Sequence, residues 1–393
     1  MTLTKTNRTK RCALIVGGGM YVTGRGGEND GTVGPGLLES ARQGLIEEIC
    51  LVTTSKETSE DAQRKLTDTA IKMKVSVEIK AYHKLSQAID ISKPKIAVIA
   101  VPDHLHYKIG KEILSHGIHC LMVKPLVSKL TEAKKLIALA KENKCFACVE
   151  YHKQFDESNK IIRDEYRSGA LGDLLYILVH YSQRKSIPMV NFSSWSSRTN
   201  VFNYLGVHYV DLITWITQSK PIAVSAWGQK KYLKEKGIDT YDSIQTIIEW
   251  EGIGREQFTS THITNWIDSN KSSAMSDQHI IVVGTNGRIV ADQKNRGIAI
   301  TTDNNSTQML NPYFSRLYAS RCSTYLEAKG YGIECIKEFV QDCIEIINGS
   351  TTLSKLEIKG RATFEKSLTT CSVLEATTRS LTLQRRIEIK KNI

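Results

Sequence analysis

The first third of the chain alternates short, mostly apolar runs with longer amphipathic stretches. The apolar runs predict strands at residues 12–16, 49–54, 75–79, 96–101 and 120–123. The stretches between them predict helices at residues 37–43, 60–71, 85–91 and 107–116. Short apolar strands that alternate with helices are typical of an α/β fold with a doubly wound parallel sheet. Such sheets bind their ligands beyond the carboxyl ends of the strands.

The middle of the chain carries longer strands separated by turn residues. Its pattern predicts strands at residues 174–183, 222–229, 243–251, 256–263 and 279–283. Strands gathered after a βαβ region favour a second, α+β domain with a large, mostly antiparallel sheet. One face of that sheet must pack on helices. Ile247, Trp250 and Phe258 predict that the other face is also apolar and is buried against another subunit.

Length and composition limit the class of protein. The chain has 393 residues, of which 41% are hydrophobic and 24% are charged, so we expect two to three domains of about 100–200 residues each. This apolar content excludes disorder over most of the length. No stretch approaches the ~20 apolar residues that a membrane-spanning helix needs. The first residues lack the apolar segment of a secretory signal, so the expected compartment is the cytoplasm.

The cysteines and the net charge do not indicate a metal site or a nucleic-acid site. The nine cysteines are an odd number in mostly apolar segments, which predicts reduced, buried thiols. Cys145 and Cys148 have CxxC spacing, but no second pair or histidine cluster accompanies them, so we expect no metal site. The net charge of +12 is spread along the chain. Since no zinc-finger or aromatic RNA-binding pattern accompanies it, the charge does not indicate a nucleic-acid partner.

A glycine run follows the first strand, where a dinucleotide phosphate is expected. Glycine is needed there because a Cβ atom would block the approach of the backbone to the pyrophosphate. The run matches the first two glycines of a GxGxxG motif, and Val22 stands at the third. Residues 22–32 are interpreted as an insertion that covers the cofactor or substrate. The residues expected to contact the cofactor here are Gly17, Gly18, Gly19 and Met20.

The end of the second strand distinguishes between two cofactors. A carboxylate at this point would accept hydrogen bonds from the ribose of NAD, but none occurs before Glu57. Ser55 and Lys56 could instead hold a 2′-phosphate, by a hydrogen bond and by charge. The pattern therefore favours NADP over NAD, with a solvated loop lysine as the alternative for Lys56.

Two segments after the fourth and fifth strands carry a more specific pattern. Residues 101–106 read VPDHLH, and the second segment ends in Lys124-Pro125. They resemble the TPNxxH and EKP segments of the Gfo/Idh/MocA oxidoreductase family, the group of glucose–fructose oxidoreductase and inositol dehydrogenase. Asp103 stands in place of the family's Asn, and Val123 stands in place of its Glu.

The resemblance continues from residue 12 to residue 389. Residues 149–156 (VEYHKQFD) are similar to the family strand that opens the second domain, with Lys153 where Arg is common. Residues 206–215 match the family's GxHxxDxxxW helix segment. Residues 283–292 match a family hairpin, in which Asn286-Gly287 is a turn signal in its own right.

The resemblance implies a domain plan and an oligomer. It places an N-terminal Rossmann domain at residues 1–126 and an α+β domain for substrate binding and oligomerisation at residues 127–393, with a C-terminal helix that packs back on the first domain. It implies a homodimer or homotetramer formed through the open sheet. It also implies cofactor contacts from Val101, Pro102, His106 and Lys124.

Hydride transfer to or from a nicotinamide needs groups that manage a proton on the substrate oxygen. Lys124 follows a buried strand and stands where the family places such a lysine, and partial burial lowers a lysine pKa towards neutral pH. His208 is the natural general acid–base, because imidazole titrates near neutral pH. The alternative for His208 is a core histidine on an apolar helix.

The segment before His208 departs from the family pattern. Many members carry an Asp four residues before this histidine, whereas this chain has Tyr204. Tyrosine can relay a proton but supplies no carboxylate, so Tyr204 is a candidate third catalytic residue. Lys153, Asn203 and Asp211 are candidate substrate ligands, with helix packing as the alternative for Asp211.

The sequence therefore predicts an NAD(P)-dependent oxidoreductase. It would interconvert a secondary alcohol and a ketone on a sugar, an inositol or a similar polyhydroxylated ring. Two alternatives stay open: a reductase of a less polar ring, and a non-catalytic NAD(P)-binding regulator. Residues 304–330 show no clean periodicity, and we expect them to line the pocket or to bridge subunits.

Overall fold

A computed structural model describes residues 11–24 and 30–390 of the chain. The strands are β1 (Cys12–Val16), β2 (Glu48–Val52), β3 (Glu78–Tyr82), β4 (Ile96–Ile99), β5 (His119–Val123), β6 (Ala147–Glu150), β7 (Leu174–Arg184), β8 (Lys220–Gln229), β9 (Ser243–Glu251), β10 (Gln257–Asp268), β11 (Ser276–Gly284), β12 (Gly287–Asp292), β13 (Ile298–Thr302), β14 (Asn305–Leu310), β15 (Arg316–Ala319), β16 (Leu326–Lys329) and β17 (Ile387–Glu388). The helices are α1 (Met20–Thr23), α2 (Val33–Arg42), α3 (Lys56–Met73), α4 (Leu85–Ser92), α5 (His106–Ser115), α6 (Leu130–Glu142), α7 (Glu157–Arg167), α8 (Val207–Thr217), α9 (Tyr232–Glu235), α10 (Tyr331–Ile347), α11 (Leu353–Ile358) and α12 (Leu368–Leu383).

The first sheet is the predicted doubly wound parallel sheet. Its six strands have the order β3-β2-β1-β4-β5-β6, and every neighbouring pair is parallel. The strand order reverses beside β1, so the carboxyl ends of β1 and β4 are adjacent. Ligands of doubly wound sheets bind at this point. The sheet continues past residue 126 through α6 and β6.

The helix after the glycine-rich stretch begins earlier than predicted. It starts at Val33 rather than at residue 37, and it includes two glycines. A Cβ at Gly34 would lie 2.7 Å from the Leu66 side chain, and one at Gly36 would lie 2.8 Å from Ile336. The two glycines therefore permit α2 to pack closely on α3 and α10, although glycine weakens an isolated helix.

The third strand begins at Glu78, three residues later than the predicted 75–79. The helix before it runs on to Met73 and ends at Lys74 in the left-handed conformation, with φ 51°. Residues 75–77 then connect this helix end to β3. The predicted strand is therefore present, but its first residue depends on where the preceding helix α3 ends.

The second sheet is mixed, with the order β12-β11-β7-β10-β9-β8-β17. Its neighbouring strands are antiparallel except for β7 and β10. One face packs on helices, including α12, which lies on β8 and also contacts α6 and α8. The backbone N–H of Leu130 in α6 donates to Glu375 Oε2 in α12 at 2.8 Å.

The prediction for the open face of this sheet was partly wrong. Trp250 and Phe258 are buried on the helix-covered face, where their rings stack 6.1 Å apart. The period of two along a strand separates them from Ile247, which lies on the open face. The hairpin is present, but Gly284 pairs with Gly287, so its turn is Thr285-Asn286 rather than Asn286-Gly287.

Across residues 11–24 and 30–390, no helix combines the length and the apolar character needed to cross a bilayer.

Candidate active site

The glycine run lies at the carboxyl end of β1, beside the reversal of strand order. Gly17 has φ 115°, and a Cβ there would lie 2.1 Å from the carbonyl oxygen of Ala100. Among the described residues, apart from Gly19 and its chain neighbours, no heavy atom lies within 4 Å of the position that a Cβ at Gly19 would take. The backbone therefore borders open space, as a bound pyrophosphate requires. The following α1 has only four residues, so backbone N–H groups rather than a long helix would bind the phosphates.

The insertion after this run is fixed to a distant segment. Its residues 25–29 lie outside the described residues. At its far end, Asp30 Oδ2 accepts a hydrogen bond from the N–H of Leu317 at 3.1 Å, and the carbonyl of Gly31 accepts one from Ser315 Oγ at 2.6 Å. The described end of the insertion therefore lies against residues 315–317.

Ser55 and Lys56 lie at the carboxyl end of β2, at the start of α3. Ser55 caps the helix, because its Oγ accepts a hydrogen bond from the N–H of Thr58 at 3.2 Å. Lys56 is exposed, and its Nζ lies 3.7 Å from Glu60 Oε1. Such an exposed pair is weak, so Lys56 is free to contact an anion.

The ends of β4 and β5 are joined by His106. Its Nε2 lies 2.9 Å from the carbonyl oxygen of Val101, and its Nδ1 lies 2.7 Å from that of Pro125. The Lys124-Pro125 bond is cis. His106 is thus occupied by backbone carbonyls on both sides. Its ring therefore links the segments that follow β4 and β5, at Val101 and Pro125.

Lys124 is buried at the end of β5. Its Nζ donates to the carbonyl oxygen of Tyr204 at 2.7 Å and lies 3.6 Å from the centre of the Tyr204 ring. Burial lowers the pKa of Lys124 to about 7, although the carboxylates of Glu150 and Asp103 act in the opposite direction. Both the neutral and the charged amine are therefore accessible near neutral pH.

Tyr204 lies in a π-helical turn, Phe202–Gly206, that leads into α8. Single π turns are frequent at functional sites. The ring packs against Phe192, Trp195 and Trp266, and burial raises the pKa of its hydroxyl. It is the carbonyl and the ring of Tyr204, not its hydroxyl, that hold Lys124.

His208 is buried in the first turn of α8. Its ring centre lies 4.9 Å from that of His152 and 6.1 Å from that of Tyr181. Its Nδ1 is buried without a hydrogen-bond partner among the described residues. Burial, followed by the positive charge of Lys124, lowers the pKa of His208 well below its usual value. The ring is therefore neutral at pH 7.

Three residues near Lys124 and His208 were not predicted from the sequence: Tyr21, Glu150 and His152. Glu150, the last residue of β6, is fully buried. Its Oε1 accepts a hydrogen bond from the Tyr21 hydroxyl at 2.8 Å and lies 2.7 Å from His152 Nδ1. The available signal was an acidic residue at the carboxyl end of a wholly apolar parallel strand, followed two residues later by histidine.

Aromatic rings from residues 304–330 and α10 cover the cluster. This stretch includes two hairpin strands, β15 and β16, as well as Phe314. The Phe314 ring centre lies 5.0 Å from His152, 6.4 Å from Tyr21 and 5.2 Å from Tyr331. Phe314, from the segment expected to line the pocket or to bridge subunits, therefore packs against His152, Tyr21 and Tyr331.

Two further predicted site residues, Lys153 and Asp211, are buried and hydrogen-bonded to different neighbouring side chains. Lys153 Nζ donates to Gln278 Oε1 at 2.5 Å and Gln293 Oε1 at 3.1 Å, and burial lowers its pKa to about 7. Asp211 accepts hydrogen bonds from Gln154 Nε2 on both oxygens, at 3.1 and 2.9 Å, and burial raises its pKa to about 8. Both oxygens of Asp211, a candidate substrate ligand, therefore face the amide of Gln154.

Two predicted contacts lie beside the cluster. The side chain of Asn203 donates from Nδ2 to Ser128 Oγ at 3.3 Å, and its Oδ1 is buried without a partner among the described residues. Met20, in α1, accepts a weak hydrogen bond at Sδ from Asn191 Nδ2 at 3.6 Å. Both side chains are therefore held by neighbouring elements.

The parallel sheet, the glycine run at its reversal point and the buried ionisable groups beyond its strands are typical of NAD-binding oxidoreductases. Family comparisons agree. Residues 14–151 match the model of an oxidoreductase family with an NAD-binding Rossmann fold, and residues 160–290 match the C-terminal domain model of the Gfo/Idh/MocA family. The chain belongs to the Gfo/Idh/MocA family of oxidoreductases.

Known relatives are distant. The chain is 27% identical over 143 residues to the rhizopine catabolism protein MocA of Rhizobium meliloti, which covers 36% of this chain and 44% of that protein. The chain's matches span less than half the length of the curated relatives.

Solved structures share the fold over nearly the full length. GenD2 from gentamicin A biosynthesis, in complex with NAD, has a TM-score of 0.71 at 16% identity, covering 99% of each chain. Scyllo-inositol dehydrogenase from Lactobacillus casei, with bound NAD(H) and scyllo-inositol, has a TM-score of 0.68 at 13% identity, covering 97% of this chain and 99% of the other.

Proposed function

We propose that the protein is an NAD(P)-dependent dehydrogenase that interconverts a secondary alcohol and a ketone on a sugar, an inositol or a similar polyhydroxylated ring. The observation that supports this most is the burial of Lys124 at the end of β5, with a pKa of about 7. A lysine can take a proton from an alcohol only in its neutral form, and a pKa of about 7 makes that form accessible at working pH. The similarity to a scyllo-inositol dehydrogenase supports the substrate class.

The bound nicotinamide would accept or donate the hydride. Gly17, Gly18 and Gly19, with Met20 directly after them in α1, would hold the pyrophosphate of the dinucleotide, and Val101 and Pro102 would contact it from the end of β4. Lys124 would take the hydroxyl proton when neutral and return it for ketone reduction. His208, neutral at pH 7 and with an unpaired Nδ1 among the described atoms, would bind the same oxygen. Asn203 and Lys153 would bind other hydroxyls of the ring.

NADP is our preferred cofactor within this proposal. The support is the exposed Lys56 and the Ser55 hydroxyl at the end of β2, where the 2′ position of the adenosine ribose lies in doubly wound folds. NAD is the alternative, and it is the cofactor bound in GenD2.

We also propose a homodimer or homotetramer that forms through the open face of the second sheet. Exposed apolar side chains cover this face: Tyr176, Leu178, Trp227, Ile263 and Val290. Light scattering of the purified protein should report a dimer or tetramer, and Leu178→Glu should shift it towards monomer. Ile71→Glu, on the exposed side of α3, should leave the mass unchanged. A wild-type monomer at micromolar concentration would contradict the oligomer.

The function is tested by turnover. The full chain is mixed with NAD or NADP and a panel of inositols, hexoses and aminosugars, and the absorbance of the reduced nicotinamide is followed. We expect oxidation of at least one polyhydroxylated ring. Phe314 and Tyr331 favour a second candidate, reduction of a less polar ring, so aromatic ketones are included with NADPH. Binding of the dinucleotide without turnover of any compound would instead favour the non-catalytic regulator.

A further inference from the structure

Glu150 supplies a carboxylate to the candidate site, in which Tyr204 stands where many family members have an aspartate. It is 0% exposed. One of its oxygens, Oε1, is occupied by Tyr21 and His152. The other, Oε2, is buried and has no hydrogen-bond partner among the described residues. A buried carboxylate oxygen without a donor is unfavourable, so this atom needs a donor that the described chain does not provide.

The neighbours of Glu150 show where that donor would come from. The charge of Glu150 acts on Lys124, the group that would bind the reacting oxygen. His152, held by Glu150 through Nδ1, has its ring centre 4.9 Å from that of His208, with the two rings tilted by 55°. Glu150 Oε2 and His208 Nδ1 are thus unpaired polar atoms in one buried cluster. A substrate with a second hydroxyl near the reacting one would satisfy Oε2.

We propose that Glu150 is the residue that selects substrates with a second hydroxyl beside the reacting carbon, because its Oε2 accepts that hydroxyl's hydrogen bond. This inference rests on the proposed function. Tyr21 and His152 are positioning residues, since both hold Oε1 and thereby orient the free oxygen. A site built to bind a hydroxyl rejects an analogue that lacks it much more strongly than an apolar site does.

The experiment compares a ring diol with the matching mono-alcohol, for example 1,2-cyclohexanediol with cyclohexanol. For the wild type we expect a kcat/KM for the diol at least about 10²-fold higher. Glu150→Leu should lose most of this preference, so that the ratio of the two kcat/KM values falls by at least about tenfold. The ratio is the readout, because Glu150 also acts on Lys124 and therefore affects turnover of both alcohols. Tyr21→Phe should raise KM for the diol more than it lowers kcat, because it loosens Glu150 without removing it.

Controls and outcomes separate this inference from the proposed function. Glu142→Gln, an exposed carboxylate on α6, should match the wild type. If Glu150→Leu fails to fold, Glu150→Gln keeps the volume and removes the charge, and a reduced diol preference is again expected. An unchanged preference in a folded Glu150 variant overturns the inference alone. Absence of turnover by the wild type with any ring alcohol overturns the proposed function, and the inference falls with it.

An independent cluster lies on the open face of the second sheet. His180 in β7 and His279 in β11 are directly paired across the two strands, and their rings stack 4.9 Å apart. Asp277 lies two residues before His279, on the same face. Donor atoms of these three side chains all lie within 4.8 Å of one another. Apolar residues surround much of the rest of this face.

The donor set matches a divalent transition metal. Two imidazoles and a carboxylate bind zinc at about 2.0–2.2 Å, with a fourth position open. Ligand atoms around a tetrahedral zinc are about 3.4 Å apart, so modest side-chain rotation would suffice. Among the described atoms, His180 Nδ1 is buried without a partner. Asp292 faces His279 from β12, which adds negative charge.

One contact competes with a metal. Lys294 Nζ binds Asp277 Oδ2 at 2.6 Å, whereas Oδ1 faces His279 Nδ1 at 3.9 Å. A metal would therefore use Oδ1 and share the carboxylate with Lys294. From these side chains we infer a zinc-type site formed by His180, Asp277 and His279. The sequence alone does not predict this site, because the two histidines are brought together only by strand pairing.

The test uses the chelator-treated full chain and Co²⁺, whose visible bands report tetrahedral nitrogen–oxygen ligation, followed by displacement with Zn²⁺. We expect one metal per chain, binding at least about tenfold weaker in His180→Gln and in His279→Gln, and tighter binding in Lys294→Ala. His116→Gln, an exposed histidine on another surface, is the matched control. No tetrahedral spectrum, or a spectrum unchanged in the double histidine variant, overturns the site. A Lys294→Ala protein with weaker binding overturns the assigned role of Asp277.

Discussion

Lys124 Nζ donates a hydrogen bond to the backbone carbonyl of Tyr204 at 2.7 Å, between the end of β5 and the turn that precedes α8. The contact joins the parallel sheet to the helix that carries His208. The packing at this junction also buries the lysine, and this burial lowers its pKa to about 7. The position and the acidity of the proposed base therefore have one structural cause.

Removal of either proposed proton-handling group should abolish most turnover. Lys124→Ala and His208→Ala are each expected to lower kcat by about 10²–10⁴-fold, the range for acid–base groups. Folding and dinucleotide binding should persist, as measured by circular dichroism and fluorescence. Lys129→Ala, an exposed lysine near the same strand end, is the control. Losses below about tenfold for both variants would refute the assignment.

The hydroxyl of Tyr204 should matter less than its backbone. Tyr204→Phe keeps the carbonyl and the ring that contact Lys124, so we expect kcat/KM within about threefold of the wild type. Steady-state kinetics at pH 7 provide the measurement. A loss of about a hundredfold would instead show that the hydroxyl relays a proton.

The rate of alcohol oxidation should follow the ionisation of Lys124. The neutral amine is the base, and the pKa of Lys124 is about 7. The kcat/KM for oxidation should therefore rise with pH through this value and level off above it, whereas ketone reduction should fall. Residual activity of Lys124→Ala should lack this ionisation. A wild-type profile that is flat from pH 6 to about 9 would contradict the role.

Asp211 should make stability depend on pH. Burial raises its pKa to about 8 in the folded state, whereas an unfolded aspartate titrates near about 3.9. The protonated group's favourable contribution is therefore complete below the unfolded pKa and is lost as pH rises through about 8. Relative to the wild type, Asp211→Asn should gain free energy of unfolding between pH 5 and about 8.

Urea denaturation at pH 5 and at about pH 8 measures this change in the free energy of unfolding. Asp68→Asn, an exposed residue of α3, should show no such change relative to the wild type. The same stability difference at both pH values for Asp211→Asn would mean that Asp211 is ionised in the folded protein.

Lys56 should discriminate between cofactors. Its exposed amine at the end of β2 is proposed to bind the 2′-phosphate, so Lys56→Ala should raise KM for NADPH by about tenfold and leave that for NADH within about twofold. Lys65→Ala, further along α3, should change neither. A wild-type preference for NADH would reject the NADP assignment.

Periodicity alone was enough for the parallel sheet, because strands buried on both faces are apolar at every position, as in Cys12–Val16 and Ile96–Ile99. The motif around Lys124-Pro125 could likewise be identified from residues that are neighbours in the sequence. Strand and helix boundaries were less certain, since the end of α3 at Lys74 depends on one left-handed residue. Trp250 and Phe258 were misassigned because an apolar side chain has the same signature on either face of a sheet.

What the linear order of residues determined was the fold class, the glycine run and the identity of Lys124 and His208 as candidates, because each depends on neighbours along the chain. Tertiary structure alone decided the rest of the site. Tyr21, Glu150 and His152 meet only because β6 joins the parallel sheet beyond β5. Their side chains become partners through burial in one shared volume, and burial is a property of packed elements rather than of any local pattern.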